Sequence, residues 1–261
     1  MRPHLRDGRI RKGVFLLPSL FTFGNIILGF YACVRGLRGD FQLSAVLIVA
    51  AGFADALDGR IARMTRTESA FGREFDSLAD IVTFGFAPAF LAYLWGLQMH
   101  GRLGWLLPVF FLLCAATRLA RFNVQSAAVD SGFFVGLPTP AAAAAVMSLA
   151  YYLPADSGAR SWHLLMMITL AIIGLLMVST FRYLSLKQVD LSRPWSYRNA
   201  ILLAAFLLLV VYNPPAVLFS AAIAFALSGP TGWLVSAVLH RRWRLADLDS
   251  SELDKKNEAN G

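Results

Sequence analysis

The sequence predicts an all-α integral membrane protein, a polytopic helical bundle of about eight transmembrane helices. Hydrophobic residues make up 57% of the chain and charged residues only 15%, whereas soluble domains carry about half apolar and about a quarter charged residues. The apolar residues are also gathered into segments close to the roughly 20 residues that a helix needs to cross the hydrocarbon core. A membrane-spanning bundle is the architecture that these two observations indicate.

Apolar segments follow one another along most of the chain, separated by short polar connections. The predicted spans are 14–36, 42–63, 74–97, 103–121, 136–153, 163–181, 198–212 and 215–239. The segment 198–212 is short for a span. A bundle with two fewer helices would still have an even number of spans and would also fit the sequence. We therefore expect a hairpin-like series of helices in which neighbours in sequence are antiparallel.

The basic residues predict the orientation of these spans. Lys and Arg concentrate before the first span, in the connections that follow even-numbered spans, and after the last span. The exceptions are Arg35, Arg38, Arg102 and Arg160. Because basic loops stay on the cytoplasmic side, both termini are predicted to be cytoplasmic. The net charge of +8 then favours contact with anionic lipid headgroups rather than with nucleic acid.

Four aspartates lie where the second and third predicted spans approach each other. Asp55 and Asp58 are three residues apart, and Asp76 and Asp80 are four apart, so each pair shares one face of a helix. An acidic side chain at membrane depth costs about 2.5–3.5 kcal/mol on insertion scales and usually marks a functional interior. Carboxylates suit Mg²⁺ or Mn²⁺, so the pattern predicts a cation site for a substrate that carries phosphate.

Small residues and one arginine accompany the acids. Gly59, Ala62 and Gly72 would let a ligand approach the helix backbone, and Arg63 can pair with phosphate through two parallel hydrogen bonds. Tight helix packing and a positively charged membrane anchor would explain the same residues. The residues alone leave these interpretations open.

The full spacing Asp55-x2-Asp58-Gly59-x2-Ala62-Arg63-x8-Gly72-x3-Asp76-x3-Asp80 resembles the signature of the CDP-alcohol phosphotransferase family at every fixed position. The resemblance implies a homodimeric membrane enzyme that transfers a phosphatidyl or similar group from a CDP-linked lipid to an alcohol and releases CMP. It implies two divalent ions, Mg²⁺ or Mn²⁺, on the four aspartates, with Asp80 also the general base. It implies a CDP-lipid-binding site lined by Gly59, Ala62, Arg63 and Gly72.

Three further stretches, 76–89, 118–124 and 136–142, resemble the serine-using branch of that family. This resemblance implies CDP-diacylglycerol and L-serine as substrates. The carboxylate of serine needs a cationic partner, and Arg118 and Arg121 are the candidates, with Asn123 as an added hydrogen-bond donor. Glycerol 3-phosphate or inositol phosphate would attract the same arginines, and both arginines would also serve as anchors that reach lipid phosphates.

In the first span, Pro18, Thr22 and Asn25 resemble a polar stripe that faces the site in related enzymes. Hydrogen bonding between helices would explain Thr22 and Asn25 equally well. An ion-coupled transporter is the alternative from another class of protein, because transporters also place acids inside the membrane. The four acids are gathered at one face rather than along a pathway, which favours the enzyme.

The resemblance and the charge pattern together divide the chain into four parts. We expect a basic cytoplasmic segment at 1–13, the catalytic membrane domain at 14–190, additional transmembrane helices at 191–240 and a polar cytoplasmic tail at 241–261. The expected location is a bacterial inner membrane with the active site at the cytoplasmic face.

Overall fold

The computed structural model describes residues 16–65, 70–126, 133–153, 160–184, 217 and 220–232. These residues are almost entirely helical, as the sequence predicts. The α-helices are α1 (Leu16–Leu37), α2 (Phe41–Thr65), α3 (Ala70–Asp80), α4 (Ala87–Trp95), α5 (Gly101–Ser126), α6 (Thr139–Tyr152) and α7 (Arg160–Val178). Residues 220–232 are also helical.

Four short elements complete the described chain. A π-helical segment, Ile81–Phe86, joins α3 to α4, and a 3-10 turn, Leu97–His100, joins α4 to α5. Strands β1 (Phe133–Val135) and β2 (Arg182–Leu184) form an antiparallel pair in which Phe134 lies opposite Tyr183. This strand pair was not predicted from the sequence.

The first six predicted spans coincide with α1, α2, the run from α3 to α4, α5, α6 and α7. The span predicted at 198–212 lies outside the described residues, and the one at 215–239 is described only at 217 and 220–232. Within the described residues, three helical stretches are long and apolar enough to cross a membrane: Phe71–Trp95, Leu97–Val124 and Arg160–Val178. The all-α class is therefore confirmed for the described residues, and these three stretches indicate an integral membrane protein.

The helices pack through small and aromatic side chains. Helix α1 lies along α2, α5 lies along α7, and α2 also contacts α6. Phe84, Trp95 and Phe111 are among the largest side chains that are completely buried in this core. The indole of Trp95 donates a hydrogen bond to the carbonyl of Leu153 at 3.1 Å, which satisfies its only polar group.

The turn between α1 and α2 is fixed by one charged residue. Asp40 accepts a hydrogen bond from the backbone amide of Leu43 at 3.0 Å and so caps the start of α2. It also forms an ion pair with Arg35. The hydrogen bond from Arg35 is the main reason that the pKa of Asp40 lies below its ordinary value.

We expect Asp40→Asn to lower the thermal stability of the purified protein at neutral pH and to have less effect in acid. A carboxyl whose pKa is lower in the folded state stabilises the fold above its unfolded pKa, about 3.9, and that contribution is lost as the pH falls through the folded pKa. Tm measured across pH 3–7 tests this, with Glu74→Gln, an exposed acid on α3, as the control. An equal Tm difference at every pH would contradict it.

The π-helical segment Ile81–Phe86 follows Asp80 directly and packs against α1. The hydroxyl of Thr83 donates to the backbone carbonyl of Asn25 at 3.0 Å. A Cβ atom at Gly29 would lie only 2.7 Å from this hydroxyl, so a glycine is needed where the two segments approach. The sequence predicted one continuous span at 74–97, whereas π-helical turns inside helices are frequent at functional sites.

A junction next to the strand pair leads into α6. The amide of Gly136 donates to the carbonyl of Phe181 at 2.9 Å, and the amide of Leu137 donates to the carbonyl of Leu176 at 3.1 Å. Gly136 has φ +81°, a conformation that glycine adopts without strain. The junction therefore holds the start of α6 against the end of α7.

Candidate active site

Three of the four predicted metal-ligating aspartates come together between α2 and α3. One carboxylate oxygen from each of Asp55, Asp76 and Asp80 lies within 4.8 Å of the others. Asp58 lies on α2, one turn after Asp55, but its side chain is outside the described part of the structure. The hairpin of α2 and α3 thus brings Asp55 close to Asp76 and Asp80.

The chemistry of this cluster fits a divalent cation. The three carboxylates are only partly exposed, and like charges this close repel each other unless a cation or a proton offsets them. The Oδ1 atom of Asp76 is buried and has no hydrogen-bond partner among the described residues. A carboxylate oxygen without a hydrogen-bond partner is available as a ligand for Mg²⁺ or Mn²⁺.

Asn25 reaches this cluster from α1. Its Nδ2 atom lies 3.5 Å from Oδ1 of Asp80, to which it donates, and its side chain is completely buried. Its own Oδ1 atom has no hydrogen-bond partner among the described residues. Since Thr83 holds the Asn25 backbone, the π-helical segment and α1 together orient the amide toward Asp80.

Arg118 brings a positive charge to the same region from α5. Its side chain is only 7% exposed and lies close enough to Asp80 and Asp55 to interact with their charges. Its Nη1 atom donates to the hydroxyl of Thr139 at 3.1 Å, and its guanidinium lies 5.4 Å from the ring centre of Phe122. The Nε atom is buried with no hydrogen-bond partner among the described residues.

Arg121 and Asn123, the other two predicted serine contacts, are engaged with the protein itself. Arg121 donates to four backbone carbonyl groups around the end of α7. The Nδ2 atom of Asn123 donates to the hydroxyl of Ser77 at 3.0 Å. Asn123 therefore ties α5 to α3, between the two aspartates that α3 carries.

A family model described as CDP-alcohol phosphatidyltransferase matches residues 15–177. This range covers more than half of the chain and includes the aspartates, Asn25, Arg118 and Thr139. The chain belongs to the CDP-alcohol phosphatidyltransferase family. It is therefore a transferase, and the alternative of an ion-coupled transporter is not supported.

Individual relatives are similar over most of their length. A protein of Helicobacter pylori named CDP-diacylglycerol–serine O-phosphatidyltransferase is 37% identical over 207 residues, which cover 77% of this chain and 84% of that protein. Proteins with the same name from Mycobacterium leprae and Methanocaldococcus jannaschii are each 36% identical, over 79% and 67% of this chain and 71% and 76% of their own. The similarity thus extends well beyond the aspartate motif.

The family signature also includes the predicted CDP-lipid-binding residues. Gly59, Ala62 and Arg63 lie in the last two turns of α2, where the structure describes the helix but not the side chains. Gly72 lies in the first turn of α3. All four are thus at the ends of the two helices that carry the aspartates, and their contact with a nucleotide stays a prediction.

Thr139 and Ser77 were not assigned roles from the sequence. Both lie in stretches that resemble the serine-using branch of the family, but an isolated hydroxyl gives no signal of its partner. In the structure, the hydroxyl of Thr139 accepts a hydrogen bond from Arg118, and the hydroxyl of Ser77 accepts one from Asn123. The two contacts join different helices across 21 and 46 residues of sequence, which is why spacing alone did not find them.

Proposed function

We propose that this protein transfers the phosphatidyl group of CDP-diacylglycerol to the hydroxyl of L-serine, giving phosphatidylserine and CMP. The observation that carries the proposal is a buried arginine, Arg118, close enough to Asp80 and Asp55 of the aspartate cluster to interact with their charges, in a member of the CDP-alcohol phosphatidyltransferase family. The names of the similar proteins support serine as the acceptor. Phospholipid synthesis is the resulting role.

Asp55, Asp58, Asp76 and Asp80 are the residues that we propose to hold two divalent ions, Mg²⁺ or Mn²⁺. Bound ions would offset the negative charge of the pyrophosphate and of the departing CMP. Gly59, Ala62, Arg63 and Gly72 would hold the CDP part of the lipid, with Arg63 as a phosphate partner. The nucleotide would then lie at the ends of α2 and α3.

Asp80 would take the proton from the serine hydroxyl. The freed oxygen attacks the phosphorus of the phosphatidyl group, and the bond from that phosphorus to the oxygen of CMP breaks. Asn25 would keep the Asp80 carboxylate turned toward the acceptor, since it donates to one of the two carboxylate oxygens. The buried position of Asn25 would also limit access of water that competes with serine.

Arg118 is the residue that we propose for direct contact with the carboxylate of serine. Thr139 fixes one end of the guanidinium, and the buried Nε atom has no partner among the described residues. An arginine forms strong charge-assisted hydrogen bonds to a carboxylate. Asn123 stays a predicted contact of the acceptor, at the position where it already bonds Ser77.

The arrangement of the whole chain in the membrane is part of the same proposal. About eight transmembrane helices, cytoplasmic termini, a homodimer and an active site at the cytoplasmic face of a bacterial inner membrane follow from the charge pattern and the resemblance. The catalytic domain would occupy 14–190, between the basic segment 1–13 and the additional helices of 191–240, with the tail at 241–261. CDP-diacylglycerol would then reach the site from within the lipid bilayer.

CMP release by the purified protein tests the reaction. The protein is supplied with CDP-diacylglycerol and Mg²⁺ or Mn²⁺, and L-serine, glycerol 3-phosphate and inositol phosphate are compared as acceptors. We expect release that depends on L-serine, with phosphatidylserine as the lipid product. If CMP is released only with another acceptor, the assignment of the transferase site stands, but serine is refuted as the substrate.

Removal of divalent cations should abolish the reaction. We expect CMP release to fall to background after treatment with a chelator and to return when Mg²⁺ or Mn²⁺ is added in excess, because the clustered acids would hold the ions that offset the charge of the pyrophosphate and of the departing CMP. The assay is CMP release before chelation, after it and after each addition. Unchanged release in the metal-free protein would contradict the metal assignment.

A further inference from the structure

We propose that Arg121 is a positioning residue, which fixes the place of Arg118 through the segment 136–139 and does not itself contact the acceptor. Its Nη1 atom donates to the carbonyl of Val178 at 2.9 Å. Its Nη2 atom donates to the carbonyls of Val135 and Ser179 at 3.0 and 3.1 Å, and to that of Met177 at 3.3 Å. One side chain thus joins the end of α7 to the end of β1.

The end of α7 needs a partner of this kind. The last carbonyl groups of a helix accept no hydrogen bond from the backbone amides of that helix. A positive charge there also interacts favourably with the helix dipole. A guanidinium carries five N–H donors in a rigid plane, so it can reach several carbonyls at once. Lysine offers a point charge on a flexible chain and cannot reproduce this arrangement.

The junction after β1 is built closely around Arg121. A Cβ atom at Gly136 would lie 2.6 Å from Nη2 of Arg121, so the guanidinium occupies the space beside this glycine. The amides of Gly136 and Leu137 bond carbonyls of Phe181 and Leu176. The backbone is therefore held on both sides from Val135 to Leu137.

This held backbone leads directly to the contact of Arg118. Thr139, two residues after Leu137, is completely buried and accepts the hydrogen bond from Arg118. Arg118 and Arg121 are three residues apart on α5 and thus lie on one side of that helix. The two arginines hold the two ends of the short segment 136–139, so release of one end would let Thr139 and then Arg118 move.

The inference rests on the proposed contact of Arg118 with an acidic acceptor. A double-mutant cycle between Arg121→Gln and Thr139→Val tests it, with kcat and KM for L-serine and for CDP-diacylglycerol as readouts. Arg102→Gln, an exposed arginine on the same helix, is the matched control. We expect Arg121→Gln and Thr139→Val each to raise KM for serine by about tenfold, the cost of one weakened charged hydrogen bond.

The expected result is that the double variant is little worse than the more affected single variant, because both substitutions disturb the same contact. KM for CDP-diacylglycerol should change by less than about twofold. Effects on serine KM that multiply would mean that Arg121 acts independently of Thr139 and would refute the proposal. An unchanged serine KM in Arg121→Gln would refute it as well.

Arg121→Lys separates positioning from direct contact with the acceptor. A lysine keeps the charge that an acceptor carboxylate needs but not the planar set of donors, so serine KM should stay raised. Recovery of the normal serine KM in Arg121→Lys would overturn the proposal. If neither Arg121 variant folds, Leu137→Ala loosens the same segment through a completely buried side chain, and a selective rise in serine KM supports the proposal whereas an unchanged KM overturns it.

Failure of the proposed function is visible separately, in the unmodified protein. If that protein releases CMP only with another anionic acceptor, the cycle is run on the KM of that acceptor, because Arg121 would position the Arg118 charge for it in the same way. Multiplicative effects there would refute the role of Arg121, and non-additive effects would support it.

Discussion

Asp80→Asn should abolish turnover while leaving the binding of CDP-diacylglycerol nearly unchanged. The amide that replaces the carboxylate has almost the same size, and its oxygen can still accept the hydrogen bond from Asn25 that Asp80 accepts now. It cannot take a proton from a hydroxyl. General-base catalysis contributes about 10²–10⁴ in rate, so we expect kcat to fall by at least about a hundredfold.

The measurement is CMP release with L-serine, together with equilibrium binding of CDP-diacylglycerol in the presence of Mn²⁺. Glu74→Gln is the matched control, because it makes the same chemical change on the exposed side of the same helix, and it should keep normal kcat. Normal turnover in Asp80→Asn would rule out the general-base role. If the variant binds CDP-diacylglycerol more weakly but keeps its kcat at saturating lipid, Asp80 contributes to lipid binding and not to proton transfer.

The convergence of the aspartates could be predicted because it depends on local geometry. Spacings of three and four residues put each pair on one side of its helix, and a short connection between α2 and α3 leaves the two pairs few ways to separate. The sequence also placed the helices well, since apolar segments of this length have few alternatives in a membrane. The family followed from the same motif.

The π-helical segment and the strand pair could not be predicted in this way. The π-helical segment begins a largely apolar stretch after Asp80, and its position depends on the contacts of Thr83 with Asn25 and Gly29 of another helix. The strands are three residues each and are held by a partner about fifty residues away. Neither feature leaves a periodic pattern in its own sequence.

The sequence also could not distinguish Arg118 from Arg121. Both are arginines near the same end of one predicted span, and each fitted either an acceptor contact or a lipid anchor. The difference lies in their partners: Arg118 bonds one hydroxyl near the acids, whereas Arg121 bonds four backbone carbonyls. Such partners belong to the tertiary structure, and residue type does not reveal them.

Arg118→Met should reduce kcat/KM for L-serine by about 10- to 100-fold, with a much smaller change in KM for CDP-diacylglycerol. A charge-assisted hydrogen bond contributes about 1.5–3 kcal/mol, and a factor of ten in affinity corresponds to about 1.4 kcal/mol. Arg118→Lys keeps the charge but cannot bond Thr139 and a carboxylate in the same planar geometry, so it should fall between Met and the unmodified protein.

Kinetics with both substrates varied, together with Tm of each variant, test this prediction. Arg102→Met, which removes an exposed arginine from the other end of α5, should leave serine kinetics unchanged. An equal loss for both substrates would indicate general damage to the site rather than loss of an acceptor contact. The burial of Arg118 already argues against a lipid anchor, because an arginine that reaches lipid phosphates keeps its guanidinium at the surface, whereas that of Arg118 is buried against Thr139 and Phe122.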